Sequence, residues 1–235
     1  MPLDINCDMG ELADVAHEAA LMQYITSANI ACGGHAGDDH TMEGTSHLAL
    51  GRGVRIGAHP GYPDRANFGR LEMAMRPSEI AATVHQQIAR LDAIVGRMGG
   101  KIVHVKPHGA LYNVAVHNAE VARAIAEGVG RWNRSVILFG LAGSPMLDVW
   151  RAMGFQVWRE AFADRRYEPD GTLRSRKLEG ALITDTAQAA AQAVRFAEAG
   201  TADTVCVHGD TPGAVEILKA CREALARSAV HPAAV

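Results

Sequence analysis

Histidine follows a predicted strand at four separate places in the chain, each time with glycine close by. The four are His35, His59, His108 and His208. Imidazole titrates near neutral pH and can pass a proton or bind a metal ion. One histidine at a strand end is more often a hydrogen-bonded structural side chain than a catalyst. Four placements at the same end of different strands instead favour a shared polar site, since scattered core histidines would show no such preference.

A carboxylate and a lysine also occupy strand ends. Asp8 ends the first strand and can act as a base or orient a ring nitrogen. Lys106 and His108 follow the fourth strand two residues apart, so in extended backbone both side chains point the same way. A lysine can stabilise an oxyanion while a neutral imidazole takes a proton. We therefore predict Asp8, Lys106 and His108 as the catalytic residues. The alternative is structural: Lys106 pairs with a carboxylate such as Asp8, and His108 bonds only to backbone.

Further polar side chains near the strand ends are candidates for binding a substrate. An aspartate in such a position is also typical of a helix cap, and an arginine there can form a surface ion pair instead of an anion clamp. The predicted substrate-binding residues are His35, Asp38, His59, Tyr112, Asp164, Arg165, His208 and Asp210.

A metal site is one further interpretation of the same motifs. Asp8, His35 and His59 form a possible two-histidine, one-carboxylate set. A compact metal motif such as His-Glu-x-x-His is absent from the sequence, so the ligands and the need for a divalent metal stay open. The four cysteines contain no Cys-x-x-Cys pair and are predicted to be reduced, mostly buried thiols. A nucleophilic Cys32 beside His35 is the minor alternative.

The elements that must position these side chains alternate between short apolar runs and longer helical periods. In the clearest helix, residues 78–98, apolar side chains recur at steps of three and four on one face. Pro77 suits its first turn, and Gly99 and Gly100 end it. Two further helices are predicted at 187–199 and 214–226. The predicted strands are residues 3–7, 27–31, 54–58, 102–105, 136–139, 156–158 and 204–207.

Strand and helix alternating about seven times predicts a parallel sheet buried on both faces. We favour a (β/α) TIM-like barrel of about seven strands over an open sheet, because polar motifs follow strand after strand and no Gly-rich nucleotide-binding loop is present. Residues 165–176 break the rhythm, and Asp170-Gly171 predicts a small hairpin there. The absence of a linker or low-complexity stretch favours a single domain, residues 1–235.

Composition excludes several classes of protein. Hydrophobic residues make up 48% of the 235 residues, charged residues 21%, and the net charge is −3. No basic surface therefore indicates a nucleic acid or an anionic membrane as partner. No apolar run reaches the length of a membrane span, and the N-terminus lacks the pattern of a signal peptide. We expect a cytoplasmic protein, and a homo-oligomer is compatible with the sequence.

Taken together, the motifs resemble the family of the A-type subunit of 5-oxoprolinase, also called the LamB/YcsF lactam-utilisation family. One departure is Gly34, where members often carry phenylalanine before the histidine, so an aromatic wall is missing. The resembling segments are DINCDMGE (4–11), SANIACGGHAGD (27–38), IGAHPGYPD (56–64), FGR (68–70), VKPHGALYN (105–113), GLAGS (140–144), FADRRY (162–167) and VHGDTP (207–212).

The resemblance implies a distorted (β/α) barrel, distantly similar to polysaccharide deacetylases. It also implies ATP-dependent opening of 5-oxoproline, or a related lactam, to glutamate or the open amino acid, in a complex with 5-oxoprolinase subunits B and C. Phosphorylation of the lactam oxygen would create a leaving group, and water would attack with His or Asp as base. Two other functions stay open. One is a stand-alone metal-dependent deacetylase or amidohydrolase, and the other is a non-catalytic metabolite- or carbohydrate-binding protein.

Overall fold

Parallel strands close into a barrel in the computed structural model, which describes residues 3–12 and 14–228. Each strand pairs with the next in chain order, and the last described strand pairs with the first. This confirms the predicted (β/α) barrel of seven strands. The strands are β1 (Asp4–Met9), β2 (Ser27–Ala31), β3 (Arg55–His59), β4 (Ile102–Val105), β5 (Ile137–Leu141), β6 (Gln156–Phe162) and β7 (Thr204–Cys206).

Helices follow the strands and pack against their outer surface and against one another. They are α1 (Val15–Leu21), α2 (Asp39–Gly51), α3 (Pro77–Arg97), α4 (Gly109–His117), α5 (Ala119–Trp132), α6 (Pro145–Ala152), α7 (Thr186–Glu198) and α8 (Ala214–Arg227). The largest helix contacts are those of α3 with α5 and of α7 with α8. The apolar face of α3 is buried, with Pro77 at its first position. None of the helices among the described residues is long and apolar enough to cross a membrane.

The interior of the barrel is polar. In β1, polar side chains at 4, 6 and 8 alternate with apolar ones at 5, 7 and 9, so one face of the strand is polar and the other apolar. Asn6 Nδ2 donates to Glu160 Oε1 of β6 at 3.1 Å and to Thr204 Oγ1 of β7 at 2.7 Å. Asn29 of β2 donates to Asn6, and His104 of β4 bonds to Asn29 at 2.8 Å. These bonds join five strands across the barrel axis and satisfy polar groups that burial would otherwise penalise.

A glycine in β3 makes room for this interior network. A Cβ at Gly57 would collide with the His104 imidazole. The pairing of β3 with β4 is irregular between Ile56 and Gly57, directly beside that ring. Glycine is required here because a larger residue would displace His104 from its bond to Asn29.

The excursion after β6 is a hairpin, as the sequence predicts. Tyr167 and Leu173 form an antiparallel bridge, and Arg165 forms another with Leu182. Gly171 at the tip adopts a positive φ of 85°. The segment leaves the rim of the barrel and returns across its mouth, so it adds side chains to the cavity described next.

Candidate active site

A cavity of about 470 Å³ opens where the carboxyl ends of the strands meet. His59, His108 and His208 line it, as predicted. His35 lies behind this wall, fully buried, with its ring stacked on His108 at a centroid distance of 3.5 Å. The other polar side chains that line the cavity are Asp8, Glu11, Arg70, Lys106, Tyr112, Asn113, His117, Arg165, Thr172, Ser175, Arg176, Lys177 and Asp210.

Lys106 holds two buried carboxylates together at the floor of the cavity. Its Nζ lies 2.8 Å from Asp8 Oδ1, 3.1 Å from Glu160 Oε1 and 3.1 Å from Cys206 Sγ. Burial lowers the pKa of Lys106, but the charges of Asp8 and Glu160 outweigh it and hold that pKa well above its ordinary value. The lysine is therefore a cation, and its charge is matched by neighbouring carboxylates.

Asp8 is the most connected of the predicted catalytic residues. Its Oδ1 also accepts a hydrogen bond from Asn29 at 2.9 Å, and its Oδ2 lies 3.4 Å from His59 Nε2. Burial raises the pKa of Asp8, but the nearby His59 and Lys106 outweigh it and bring the pKa well below its ordinary value. The carboxylate is thus buried and paired. The Lys106–Asp8 pair is the contact that the structural alternative anticipates, so the catalytic roles of Asp8, Lys106 and His108 stay predictions.

Glu11 and three histidines form a second cluster beside Asp8. Glu11 Oε1 lies 2.9 Å from His35 Nε2, 3.2 Å from His108 Nδ1 and 3.7 Å from His59 Nε2. The His59 Nε2 and His108 Nδ1 atoms are 3.0 Å apart. The carboxylate that joins these rings is thus Glu11, whereas the metal set proposed from the sequence assigned that place to Asp8.

Backbone carbonyls fix the outer nitrogen of two of these rings. His59 Nδ1 lies 2.7 Å from the Lys106 carbonyl oxygen, and His108 Nε2 lies 2.9 Å from that of Phe68.

Burial lowers the pKa of His35 to about 3 and lowers that of His108 below its ordinary value. Burial also raises the pKa of Glu11, but the nearby His108 and His35 outweigh it and lower that pKa, so the carboxylate is ionised.

His208 and Asp164 form a dyad that reaches the same cavity. Asp164 is fully buried and accepts from His208 Nδ1 at 3.0 Å, from the His208 backbone N–H at 3.0 Å and from Thr211 Oγ1 at 2.6 Å. The His208 ring stacks on Phe162. Its side chain keeps 15% exposure and lines the cavity, so Nε2 is the nitrogen left for a ligand. A carboxylate that orients a histidine through Nδ1 is a general acid–base arrangement.

Arginines surround the outer part of the cavity. Arg176 Nη1 donates to Asp210 Oδ2 at 3.0 Å, and Arg70 donates to the same carboxylate, so Asp210 binds these arginines. Arg165 is 5% exposed, and its Nη2 donates to the Arg174 carbonyl at 2.6 Å. Its Nε has no hydrogen-bond partner within residues 3–12 and 14–228. Burial and the charge of Arg176 lower the pKa of Arg165 to about 10, which still leaves a cation at neutral pH.

Besides His35, two predicted substrate-binding residues do not line the cavity. The Asp38 side chain accepts from Thr41 N at 2.9 Å, caps α2 and does not line the cavity, so its placement is that of a helix cap. Asp164 contacts the cavity only through His208. Tyr112 does line the cavity, and burial raises the pKa of its hydroxyl well above the ordinary value.

Cys32 does not have the surroundings of a nucleophile. All four cysteines are free and buried, as predicted. Burial raises the pKa of the Cys32 thiol to about 12, and its Sγ bonds to the Ile30 carbonyl at 3.1 Å. A thiol with a raised pKa is a poor nucleophile at neutral pH.

Gln87 fills the space beside Gly34, the residue that departs from the family pattern. A Cβ at Gly34 would collide with the carboxamide of Gln87. That carboxamide accepts from Gly61 N at 3.0 Å and donates to Gly61 O at 2.7 Å. Gln87 therefore supports the loop after β3 in the space beside residue 34.

Comparisons with known proteins find relatives that match nearly the whole chain. A family model described as LamB/YcsF family matches residues 3–235. A relative from Heliobacterium modesticaldum, named as the A subunit of 5-oxoprolinase, is 45% identical over 240 residues, covering 96% of this chain and 94% of the relative. The solved structure of the lactam utilization protein from Thermus thermophilus superposes with a TM-score of 0.91 at 38% identity, covering 100% of both chains.

A more distant solved structure shows a shared fold alone. The family 4 carbohydrate esterase from Streptomyces lividans, solved in complex with acetate, has a TM-score of 0.50 at 14% identity. The match covers 96% of this chain and 88% of the esterase. The distant likeness to polysaccharide-modifying enzymes that the sequence implies is therefore a likeness of architecture.

Proposed function

The chain belongs to the LamB/YcsF family, and from that premise we propose that it is the A-type subunit of a 5-oxoprolinase. The proposed complex is a hydrolase that opens 5-oxo-L-proline, or a related lactam, to glutamate or the corresponding amino acid. ATP is its co-substrate, and subunits B and C are its partners. The observation that carries the proposal is the match, over 96% of the chain, to a relative named as the A subunit of 5-oxoprolinase. A cytoplasmic location agrees with the use of ATP.

The cavity suits a small anionic lactam. Its volume of about 470 Å³ is in the ordinary range for small-molecule sites. At neutral pH 5-oxoproline carries one carboxylate beside a neutral ring amide. Arg165 is a mostly buried cation that lines the cavity, and a carboxylate is the natural partner for a guanidinium. We assign Arg165 the substrate carboxylate.

Proton transfer is assigned to the His208–Asp164 dyad. Opening a lactam requires water to lose a proton as it attacks and the ring nitrogen to gain one as it leaves. Asp164 holds the Nδ1–H of His208, which leaves Nε2 as a base toward the cavity. Phosphorylation of the lactam oxygen by ATP would make the ring carbon electrophilic enough for water to add. The ring C–N bond then breaks to give an amine and an acyl phosphate, and a second water releases the phosphate and the open amino acid.

Lys106 is assigned a positioning role in this scheme. Its ammonium is already paired with Asp8 and Glu160, so little of its charge remains for an oxyanion. By binding Asp8 Oδ1, Lys106 also fixes the carboxylate that lies 3.4 Å from His59.

Reconstitution tests the proposal. The full-length chain is combined with the B and C proteins from the same source. Release of the ring-opened amino acid is followed with and without ATP, as glutamate from 5-oxo-L-proline and as 4-aminobutanoate from 2-pyrrolidinone. We expect turnover only with all three proteins and ATP, and a preference for the substrate that carries a carboxylate. An inactive complete mixture would contradict the proposal. Turnover by this chain alone, without ATP, would instead support a stand-alone amidohydrolase.

A further inference from the structure

Two imidazole lone pairs face each other in the Glu11 cluster. A carbonyl oxygen only accepts hydrogen bonds, so His59 Nδ1 and His108 Nε2 must both carry their hydrogens toward the Lys106 and Phe68 carbonyls. In the neutral rings the other two nitrogens, His59 Nε2 and His108 Nδ1, are then bare, and they are 3.0 Å apart. Glu11 Oε1 adds a third electron-rich atom within 3.7 Å of both. Three acceptors held this close repel one another unless a shared proton or a metal ion lies among them.

The spacing of these three atoms fits a transition-metal ion. A tetrahedral site with bonds near 2.0–2.1 Å places its ligand atoms about 3.3 Å apart. The observed separations are 3.0 Å between the two nitrogens, and 3.2 Å and 3.7 Å from Glu11 Oε1 to His108 and His59. The His59 and His108 rings are nearly perpendicular, at 87°, so both lone pairs can point to one ion between them.

His35 belongs behind this site. Its ring is parallel to that of His108 within 4°, at a centroid distance of 3.5 Å, so one ion cannot lie in both ring planes. His35 does not line the cavity, whereas Glu11, His59 and His108 do. Its Nε2 lies 2.9 Å from Glu11 Oε1, the distance of a hydrogen bond that orients the carboxylate. Such outer partners commonly fix a ligand and tune its affinity for metal.

We propose that Glu11 Oε1, His59 Nε2 and His108 Nδ1 bind one divalent transition-metal ion of the zinc type, with His35 as the residue that orients Glu11. Two imidazoles and one carboxylate favour zinc, cobalt, nickel or iron over magnesium and calcium, which prefer oxygen ligands. The carbonyl bonds at the outer ring nitrogens are the usual support of metal-binding histidines. The ligands line the cavity, so remaining coordination positions are open to water or substrate.

This inference deepens the proposed function and rests on it only for the role of the ion. A Lewis acid at this position would polarise a carbonyl oxygen or lower the pKa of bound water. His59 and His108 direct their lone pairs toward the site because their other ring nitrogens bond to backbone carbonyls. His35 orients Glu11.

The test measures binding rather than turnover. The full-length chain is purified without chelator and its metal content is determined by mass spectrometry. The chelator-treated protein is then titrated with Zn²⁺ by calorimetry and with Co²⁺ by visible absorption. Compared variants are Glu11→Gln, His59→Gln, His35→Gln and His208→Asn. The last is a matched control from the same cavity, because Asp8, Cys206 and His208 form another possible donor group.

We expect one ion per chain in the wild type, with cobalt bands typical of nitrogen and oxygen ligands. Glu11→Gln and His59→Gln should abolish stoichiometric binding, and His35→Gln should weaken it by about 10–100-fold, as outer partners do. His208→Asn should bind normally. Glu11→Gln keeps the side-chain shape, so it remains informative should His59→Gln fail to fold.

Two results would overturn the inference. One is a wild type that takes up neither ion at micromolar concentration. The other is binding kept in Glu11→Gln and lost in His208→Asn, which would assign the ion to the alternative group. Turnover by the complex without any bound ion would defeat the role given to the ion in the reaction and leave the proposed function intact. A metal-binding chain whose complete complex opens no lactam would do the reverse.

Discussion

Replacing Lys106 by methionine should destabilise the barrel more than any comparable surface change. Methionine keeps the length of the stem and removes the ammonium that lies 2.8 Å from Asp8 and 3.1 Å from Glu160. Both carboxylates are buried, at 5% and 0% exposure, so neither can turn to bulk water. Breaking a buried ion pair in this way typically costs about 3–5 kcal/mol. For a chain of this size that corresponds to a fall in Tm of about 6–20 °C.

Thermal unfolding of Lys106→Met measures this effect, with Lys101→Met as the control. Lys101 is exposed, directly before β4, and its replacement should change stability by no more than about 0.5 kcal/mol. The double variant Asp8→Asn/Lys106→Met should be more stable than the sum of the single changes predicts, because one uncompensated carboxylate is gone. A Lys106→Met protein with the Tm of wild type would refute the view that Lys106 is held in place by its carboxylates.

Three further predictions concern function and pH. Asp164→Asn should reduce turnover of the reconstituted complex by about 10²–10⁴-fold because His208 loses its orienting carboxylate; full activity would assign the dyad a structural role. Arg165→Met should raise KM for 5-oxo-L-proline and leave 2-pyrrolidinone unaffected, and an equal effect on both would remove its assignment to the carboxylate. Burial raises the pKa of Asp203, but hydrogen bonds from Arg159 outweigh it and lower that pKa. The stabilisation is therefore present above pH ~4 and lost as pH falls through the folded-state pKa. The Tm gap between wild type and Asp203→Asn should shrink below pH ~4; a constant gap from pH 3 to 7 would contradict this.

The architecture could be predicted because the spacing of apolar residues along the sequence indicates where strands and helices lie. The predicted strands at 27–31 and 102–105 have the observed bounds, since turns and polar motifs flank each apolar run. The strand predicted at 156–158 continues to residue 162, because Glu160 faces the barrel interior and breaks the apolar pattern that marks a strand. Asp8 likewise belongs to the polar face of β1 and interrupts its apolar pattern. The strand therefore ends two residues beyond the predicted limit at residue 7.

The partners within the site could not be predicted from spacing. Glu11 lies in the first motif of the chain, but only the turn at Gly10, with its φ of 71°, brings its carboxylate to the histidines. Arg176 and Lys177 reach the cavity from the hairpin excursion, whose path over the mouth is a tertiary property. For Asp38 the local sequence suits both a helix cap and a substrate ligand. In the structure its side chain caps α2.

The hydrogen bonds between polar side chains inside the barrel affect how the chain can fold. Its hydrogen bonds join residues that are very far apart in sequence: Asn6 to Thr204 spans 198 positions, and Thr204 to Asp4 spans 200. These groups are satisfied only when β7 meets β1, so a half-barrel fragment would leave them facing either water or apolar side chains. Non-local contacts of this kind raise contact order and slow folding. A fragment of a barrel with an apolar core can still collapse around its apolar side chains. In this protein the buried polar groups find their partners only when the ring of strands closes. The site therefore forms only when the whole ring is present.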